Sequence, residues 1–89
     1  MFYVYILKSD NKNYHRYYIG HTNNLQKRLN EHNSKRVRST KAFVPWKVIY
    51  TETFETKSEA FRREQQIKSY KSGDAFKKLI ENSERWQSG

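Results

Sequence analysis

The first twenty residues carry two aromatic and β-branched runs separated by a polar turn. Residues 2–7 (FYVYIL) and residues 17–20 (YYIG) flank the turn-forming segment 9–13. Runs of this composition on either side of a turn are typical of two paired strands. The start of the chain therefore predicts a β-hairpin.

The next apolar positions follow a helical period. Leu25 and Leu29 lie one turn apart behind the N-capping candidates at residues 22–24, which predicts a short helix that ends near His32. Residues 47–54 then alternate between apolar and polar side chains and are rich in β-branched residues. That pattern predicts a third strand.

The last third of the chain predicts two more helices. Thr56 and Glu59 have the spacing of a capping box, so a helix is expected from there to about Tyr70. Residues 72–74 interrupt the pattern, and a last short helix is expected over residues 75–82. The resulting element order, ββαβαα, predicts an α+β fold.

The length of the chain allows one hydrophobic core. A chain of 89 residues buries only roughly 60–65% of its unfolded surface, so we expect a single domain over residues 1–83 and a frayed tail over residues 84–89. The absence of cysteine excludes disulfides and thiolate metal sites. No apolar run approaches the length of a membrane span. We therefore expect a cytoplasmic protein without membrane contact, and the oligomeric state stays open.

Basic residues outnumber acidic ones and concentrate in one region. The formal net charge is +9, and between residues 11 and 51 nine Lys and Arg face a single acid, which accounts for +8 of it. Residues 33–46 form a long basic loop inside this region. Such a surplus favours a polyanionic partner, with a plain solubility surface as the alternative. The candidate nucleic-acid contacts are Lys35, Arg36, Arg38, Lys41 and Lys68.

One acid of the second long helix occupies an unusual position. At 100° per residue, Glu64 lies at the middle of the inward stripe, about 40° from both Ala60 and Lys68. A carboxylate there costs free energy unless it is paired or binds a metal, which makes Glu64 a candidate ligand of a hard cation. The alternative is an i,i+4 surface ion pair with Lys68, and the helix pattern alone does not choose between the two.

Other polar side chains point toward the edge of the core. Arg28 and His32 lie one turn apart beside the leucine stripe of the first helix, so both could reach one phosphate. Arg grips phosphate oxygens in a bidentate manner, and His can donate a hydrogen bond or a proton near neutral pH. The hairpin tyrosines alternate faces, so some phenols are free to contact phosphate or water. Ordinary solvated or packed side chains are the alternative for each residue.

These residues occur in four ordered blocks that resemble the GIY-YIG nuclease superfamily. The resemblance runs from Phe2 to about Tyr70, and it is closest to small stand-alone members, similar to the N-terminal nuclease domain of the repair protein UvrC. The blocks are Val4-Tyr5-Ile6, Tyr18-Ile19-Gly20, Thr22 to Leu25 with Arg28 and His32, and Ser58-Glu59-Ala60 with residues 63–68.

The resemblance implies a fold and a set of catalytic residues. The fold would be a three-stranded antiparallel sheet flanked by helices. Tyr5 and Tyr18 would be the tyrosines of the two motifs, Arg28 the arginine of the first helix and His32 its partner. Glu64 would be the ligand of one Mg²⁺ or Mn²⁺ ion.

The resemblance also implies a reaction. Tyr18 would be the general base for an attacking water, and Arg28 would offset charge on the transition state, with Arg28 and His21 as the cations nearest to Tyr18 by sequence. Tyr5 and His32 would orient the phosphate and the water. The products would carry 5′-phosphate and 3′-hydroxyl ends.

The expected activity is an endonuclease that cuts phosphodiester bonds in nucleic acid; DNA is favoured as the substrate, and RNA stays the alternative. Without a separate DNA-binding domain its sequence specificity would be low, and a link to DNA repair or recombination is expected. One departure stands out: His21 follows the second motif where the repair nuclease has lysine. The competing interpretations are a non-cleaving nucleic-acid-binding module on the same fold and a structural interaction protein.

Overall fold

The computed structural model describes residues 1–71 and 73–88, with side chains up to residue 81. A hairpin of β1 (Phe2–Ser9) and β2 (Tyr17–Thr22) leads into the helix α1 (Leu25–Asn33). A loop with a short 3₁₀ helix (Lys41–Phe43) connects α1 to β3 (Trp46–Phe54). The helices α2 (Lys57–Ser69) and α3 (Asp74–Ser88) follow. The predicted α+β class and the ββαβαα order are confirmed.

The first strand lies in the middle of the sheet. The order is β2-β1-β3, and β1 pairs antiparallel with both neighbours. Four consecutive residues of β1, Val4 to Leu7, are essentially inaccessible to solvent. Because successive side chains of a strand point to opposite faces, such a run must be buried on both faces of the sheet. The apolar start of the chain therefore determines which strand is central.

Each face of the sheet has its own apolar cluster. Val4 and Ile6 pack with Ile67 on the face covered by α2 and α3. Tyr5 and Leu7 pack on the other face, which α1 and the loop before β3 cover. The alternation of β1 thus turns the Tyr5 phenol toward α1.

Side chains fix the starts of the first two helices. The Asn24 side chain accepts a hydrogen bond from the backbone N–H of Lys27 and caps α1. Thr56 and Glu59 form the predicted capping box at α2, each side chain bonding the other residue's backbone N–H. Both caps agree with the sequence pattern.

The last helix is longer than the sequence pattern indicates. The pattern predicts its end at residue 82, and the structure continues α3 to Ser88. The side chains of the predicted frayed tail, residues 84–89, and the whole of Gly89 lie outside the described part of the chain. Fraying of this tail therefore stays a prediction. Among the described helices, none combines the length and the apolar character needed to cross a bilayer.

The loop after α1 is anchored at both ends. Lys35 adopts a left-handed backbone with φ 66°, and the bonds Lys35 N–His32 O and Arg36 N–Glu31 O complete a Schellman turn that ends the helix. At the far end, the Asn33 side chain bonds both the N–H and the C=O of Trp46, at 2.6 and 3.0 Å. The basic loop is therefore held against the sheet.

Candidate active site

The Tyr5 phenol lies directly across Gly20 of the neighbouring strand. The two residues are register partners in the β1–β2 ladder. A Cβ atom at Gly20 would approach Tyr5 Oη to 2.6 Å and Tyr18 Cε1 to 3.0 Å. Since no real side chain tolerates the first distance, only glycine lets the phenol occupy this place. The Tyr5 and Tyr18 rings then stack with their centroids 6.2 Å apart.

A buried imidazole supports the Tyr5 phenol. Tyr5 Oη lies 3.2 Å from His32 Nε2, and His32 Nδ1 lies 2.8 Å from Thr40 Oγ1. The exposed fractions of Tyr5, His32 and Thr40 are 1%, 0% and 1%. Burial raises the pKa of Tyr5 to about 12. Burial, together with the nearby Arg28 charge, lowers the pKa of His32 to about 4. Both groups are therefore neutral at physiological pH.

Arg28 places a permanent positive charge beside the two tyrosines. Its pKa is raised, chiefly through its hydrogen-bond interaction with the Tyr5 phenol and further through Tyr18 and Glu31. The guanidinium also lies 3.4 Å from the Glu31 carboxylate. A third of the Arg28 side chain is exposed, and Tyr18 is half-buried. The open side of this cluster thus presents a cation and a phenol to solvent.

Glu64 is a buried carboxylate held by two bases. Only 6% of the residue is exposed; Oε1 lies 2.7 Å from His21 Nδ1, and Oε2 lies 2.8 Å from Lys68 Nζ. Burial alone would raise the pKa of Glu64, but the hydrogen bonds from Lys68 and His21 outweigh burial, so the pKa lies below its ordinary value. Glu64 is therefore an anion at neutral pH.

The two halves of the site meet at the edge strand β2. Tyr5, Tyr18 and Arg28 lie on the α1 side, whereas His21 turns to the α2 side and contacts Glu64. The Glu64 charge is felt at the Tyr5 phenol, whose pKa it helps to raise. Gly20, which precedes His21, leaves the edge without a side chain between the two halves. A phosphate at this edge would have the phenols and the guanidinium on one side and the carboxylate on the other.

The basic loop forms a separate positive surface next to the site. Its four predicted contact residues, Lys35, Arg36, Arg38 and Lys41, are all exposed. The hairpin turn joins this surface, because the Arg16 guanidinium lies 4.9 Å from the centre of the Phe43 ring and Tyr14 packs edge-on against the same ring. The sequence pattern did not signal this contact, which depends on how the loop folds back.

Comparisons with known proteins show which family the chain belongs to. Residues 1–78 match the GIY-YIG catalytic domain family. The chain belongs to the GIY-YIG family. It is similar to a UPF0213 protein of Staphylococcus haemolyticus, with 38% identity over 80 residues that cover 89% of this chain and 94% of that one. A UPF0213 protein of Clostridium perfringens is 45% identical over 69 residues, 76% of this chain and 71% of that one.

A solved structure supports the same membership. The solution NMR structure of a UPF0213 protein from Bacillus halodurans superposes with a TM-score of 0.55 and 29% sequence identity, over 91% of this chain and 84% of that chain. The small stand-alone GIY-YIG members are therefore the proteins that this chain resembles in both sequence and fold.

Three residues that the sequence analysis singled out contact other partners than expected. His32 was expected to reach the phosphate, but it is fully buried and both its ring nitrogens are engaged, so it can act only through Tyr5. His21 was expected near Tyr18, but an odd spacing along β2 turns it to the opposite face, where it pairs with Glu64. Lys68 also pairs with Glu64 and lies apart from the basic loop.

The neutral state of buried His32 predicts a loss of stability in acid. The pKa of His32 is lower in the folded protein than its ordinary value of 6.5, so the unfolded chain binds the extra proton first. This stabilisation is complete above pH 6.5 and is lost as the pH falls toward 4, by about 3 kcal/mol.

Urea denaturation at pH 7 and pH 4.5 measures this loss. His32→Gln is the matched variant, because it cannot take up the proton, and acid effects from other groups remain equal in both proteins. The variant should lose less unfolding free energy between the two pH values than the wild type. Equal losses would contradict the buried neutral imidazole.

Proposed function

We propose that this chain is a metal-dependent endonuclease that hydrolyses phosphodiester bonds in DNA. The observation that carries the proposal is the pairing, across one edge strand, of the Tyr5–Tyr18–Arg28 cluster with the buried carboxylate of Glu64. The Glu64 carboxylate is paired with both Lys68 and His21, and we assign it a further role because a buried, ionised carboxylate next to a cluster that can face phosphate is a suitable ligand for a hard cation.

The residues at the edge fit a divalent ion of the magnesium type. Within the described part of the chain, no group of three or more His, Cys, Asp or Glu side chains lies together. The buried, ionised Glu64 would therefore be the protein ligand, with water and substrate phosphate supplying the other oxygens, as Mg²⁺ prefers. When bound, Mg²⁺ or Mn²⁺ would neutralise charge on the scissile phosphate and on the departing 3′ oxygen.

Tyr5 and Tyr18 differ in solvent exposure, and we assign them different roles for that reason. Tyr5 is buried and its pKa is raised to about 12, so it stays a neutral phenol and serves to orient its neighbours. Tyr18 is half-buried at the open side of the cluster and lies beside Arg28. Because a general base must reach the proton that it takes, the more exposed Tyr18 is the better candidate to accept a proton from the attacking water.

Arg28 completes the chemistry on the α1 side. Its guanidinium is fixed by Tyr5, Tyr18 and Glu31, and part of it remains exposed toward a bound phosphate. As the water oxygen attacks phosphorus and the bond to the 3′ oxygen breaks, a preorganised guanidinium stabilises the added negative charge. The products of this direction of cleavage carry 5′-phosphate and 3′-hydroxyl ends.

Binding would rest on phosphate contacts from the basic loop. Lys35, Arg36, Arg38 and Lys41 are exposed, and contacts of this kind position a strand without reading its bases. Sequence specificity is therefore expected to be low and affinity to fall with salt. Such an enzyme suits a role in DNA repair or recombination, where structure rather than sequence selects the substrate.

Replacing the metal-binding carboxylate should separate cutting from binding. We expect Glu64→Ala to lower the cleavage rate by at least about 100-fold, because charge neutralisation at the phosphate is lost, and to keep DNA affinity. The assay incubates the wild type and the variant with supercoiled plasmid, single-stranded DNA and a branched duplex, with Mg²⁺ or with EDTA.

Glu55→Ala is the matched control, because Glu55 is an exposed carboxylate at the turn before α2 and should cut normally. Metal-dependent cutting by the wild type and the control alone supports the enzyme. Binding without cutting by any of the three proteins would instead support a non-cleaving nucleic-acid-binding module. Normal cutting by Glu64→Ala would remove the metal assignment.

Neutralising the basic loop should weaken binding on every sequence alike. We expect the triple change Lys35→Ala, Arg36→Ala and Arg38→Ala to reduce the slope of log affinity against log salt by about 2.7 on duplex DNA, since each lost phosphate contact removes about 0.9. Fluorescence anisotropy across a salt series measures both quantities.

The control for charge alone is the triple change Arg62→Ala, Lys77→Ala and Lys78→Ala. These exposed cations belong to α2 and α3, on the other side of the sheet from the basic loop. An equal loss of slope in both triple variants would show that net charge, and not the loop, drives binding.

A further inference from the structure

A threonine of the basic loop is buried against the catalytic cluster. Thr40 is 1% exposed although its sequence neighbours Ser39 and Lys41 are exposed. Its Oγ1 atom lies 2.8 Å from His32 Nδ1 and 3.3 Å from the carbonyl oxygen of Val37. None of the roles proposed above for the tyrosines, Arg28 and Glu64 involves this hydroxyl.

The hydroxyl of Thr40 has one proton to donate, and its two partners differ in kind. The Val37 carbonyl can only accept, so the hydroxyl can bond both partners only if it donates its proton to Val37. The Thr40 oxygen is then an acceptor toward His32, which requires the His32 proton to be on Nδ1. A carbonyl and a hydroxyl in series thus select one of the two neutral forms of the imidazole.

The choice of tautomer determines the direction of the next hydrogen bond. A neutral imidazole with its proton on Nδ1 has a bare Nε2, which can only accept. Tyr5 Oη, at 3.2 Å from Nε2, must then donate its own proton to His32. The lone pairs of the phenol oxygen are then free to accept, and the Arg28 guanidinium is the neighbouring donor that interacts with this phenol.

We propose that Thr40 is a positioning residue that acts through His32 and Tyr5 on Arg28. By holding the proton of His32 on Nδ1, it turns the Tyr5 O–H away from the open side of the site and presents the phenol oxygen as an acceptor for Arg28. The inference rests on the proposed function, because it concerns the same cluster. The inference goes beyond the proposed function because it makes a residue of the basic loop part of the catalytic arrangement.

The backbone of Thr40 ties the loop to the sheet in the same place. Its carbonyl oxygen accepts a hydrogen bond of 2.9 Å from the Trp46 indole, and Trp46 is the buried start of β3. The Ser9 hydroxyl holds the carbonyl of Phe43 at 2.6 Å nearby. The loop segment that carries Thr40 is therefore fixed at both backbone and side chain, and it can transmit the position of the basic loop to His32.

The tautomer of His32 can be measured without any cleavage. Long-range ¹H–¹⁵N spectra of the ¹⁵N-labelled protein at pH 7, without metal or DNA, distinguish a proton on Nδ1 from one on Nε2. We expect the Nδ1–H form in the wild type and in Thr40→Ser, which keeps the hydroxyl. We expect the Nε2–H form, or a mixture, in Thr40→Val, which keeps the shape and loses the hydroxyl.

Steady-state cleavage gives the second readout. Thr40→Val should lower kcat by about five- to tenfold, the size of one lost hydrogen bond, with KM unchanged, and Thr40→Ser should restore kcat. A purely structural role would instead lower the melting temperature of both variants and leave the His32 tautomer unchanged. An Nε2–H form in the wild type would overturn the proposal even if Thr40→Val failed to fold.

The two readouts separate this inference from the proposed function. An Nδ1–H wild type that changes tautomer in Thr40→Val, in a protein that cuts no substrate, would keep the positioning by Thr40 and reject the nuclease. A nuclease whose kcat is the same in Thr40→Val and Thr40→Ser would keep the enzyme and reject the positioning.

Discussion

The close approach of the Tyr5 phenol to Gly20 is the contact on which the rest of the site depends. Tyr5 can lie there because β1 is the central strand, so its side chain is confined by a neighbour on each edge and by α1 above. The space exists because Gly20 has no Cβ atom. Once the phenol is fixed, His32 is buried behind it and Arg28 lies beside it. The sheet therefore determines where the cation faces solvent.

Glu64 and Arg28 are the two charged groups that flank this contact, and their partners differ. The carboxylate of Glu64 has a base on each oxygen, while Arg28 interacts with the two tyrosines and with a partly exposed carboxylate at 3.4 Å. A bound phosphate would contact the exposed part of Arg28, and a divalent cation at Glu64 would offset the repulsion between the phosphate and the carboxylate. These charges at the edge of β2 are the reason for proposing a divalent ion there, and the basic loop adds positive charge next to the site.

The sequence pattern predicted the fold well because its elements have strong local signals. The apolar run of β1 and the capping box of α2 are decided by neighbouring residues, and the structure has both where they were expected. Helical periodicity also placed Glu64 on the buried face, where it is found. The partners of the polar groups could not be predicted in this way. Thr40 and His21 acquire their roles from residues 8 and 43 positions away in sequence. A pattern of neighbouring residues does not indicate contacts over such separations.

The most direct measurement maps a paramagnetic ion on the folded protein. Mn²⁺ would be added to ¹⁵N-labelled protein with a non-cleavable DNA oligonucleotide, and the loss of amide signals would be recorded for the wild type and for Glu64→Ala. A metal site at Glu64, as proposed, predicts selective broadening at Glu64, His21 and Gly20, with side-chain signals of Tyr18 and Arg28 also affected, and no selective broadening in the variant. Broadening centred on other acids, or unchanged in Glu64→Ala, would contradict a metal site at the edge of β2.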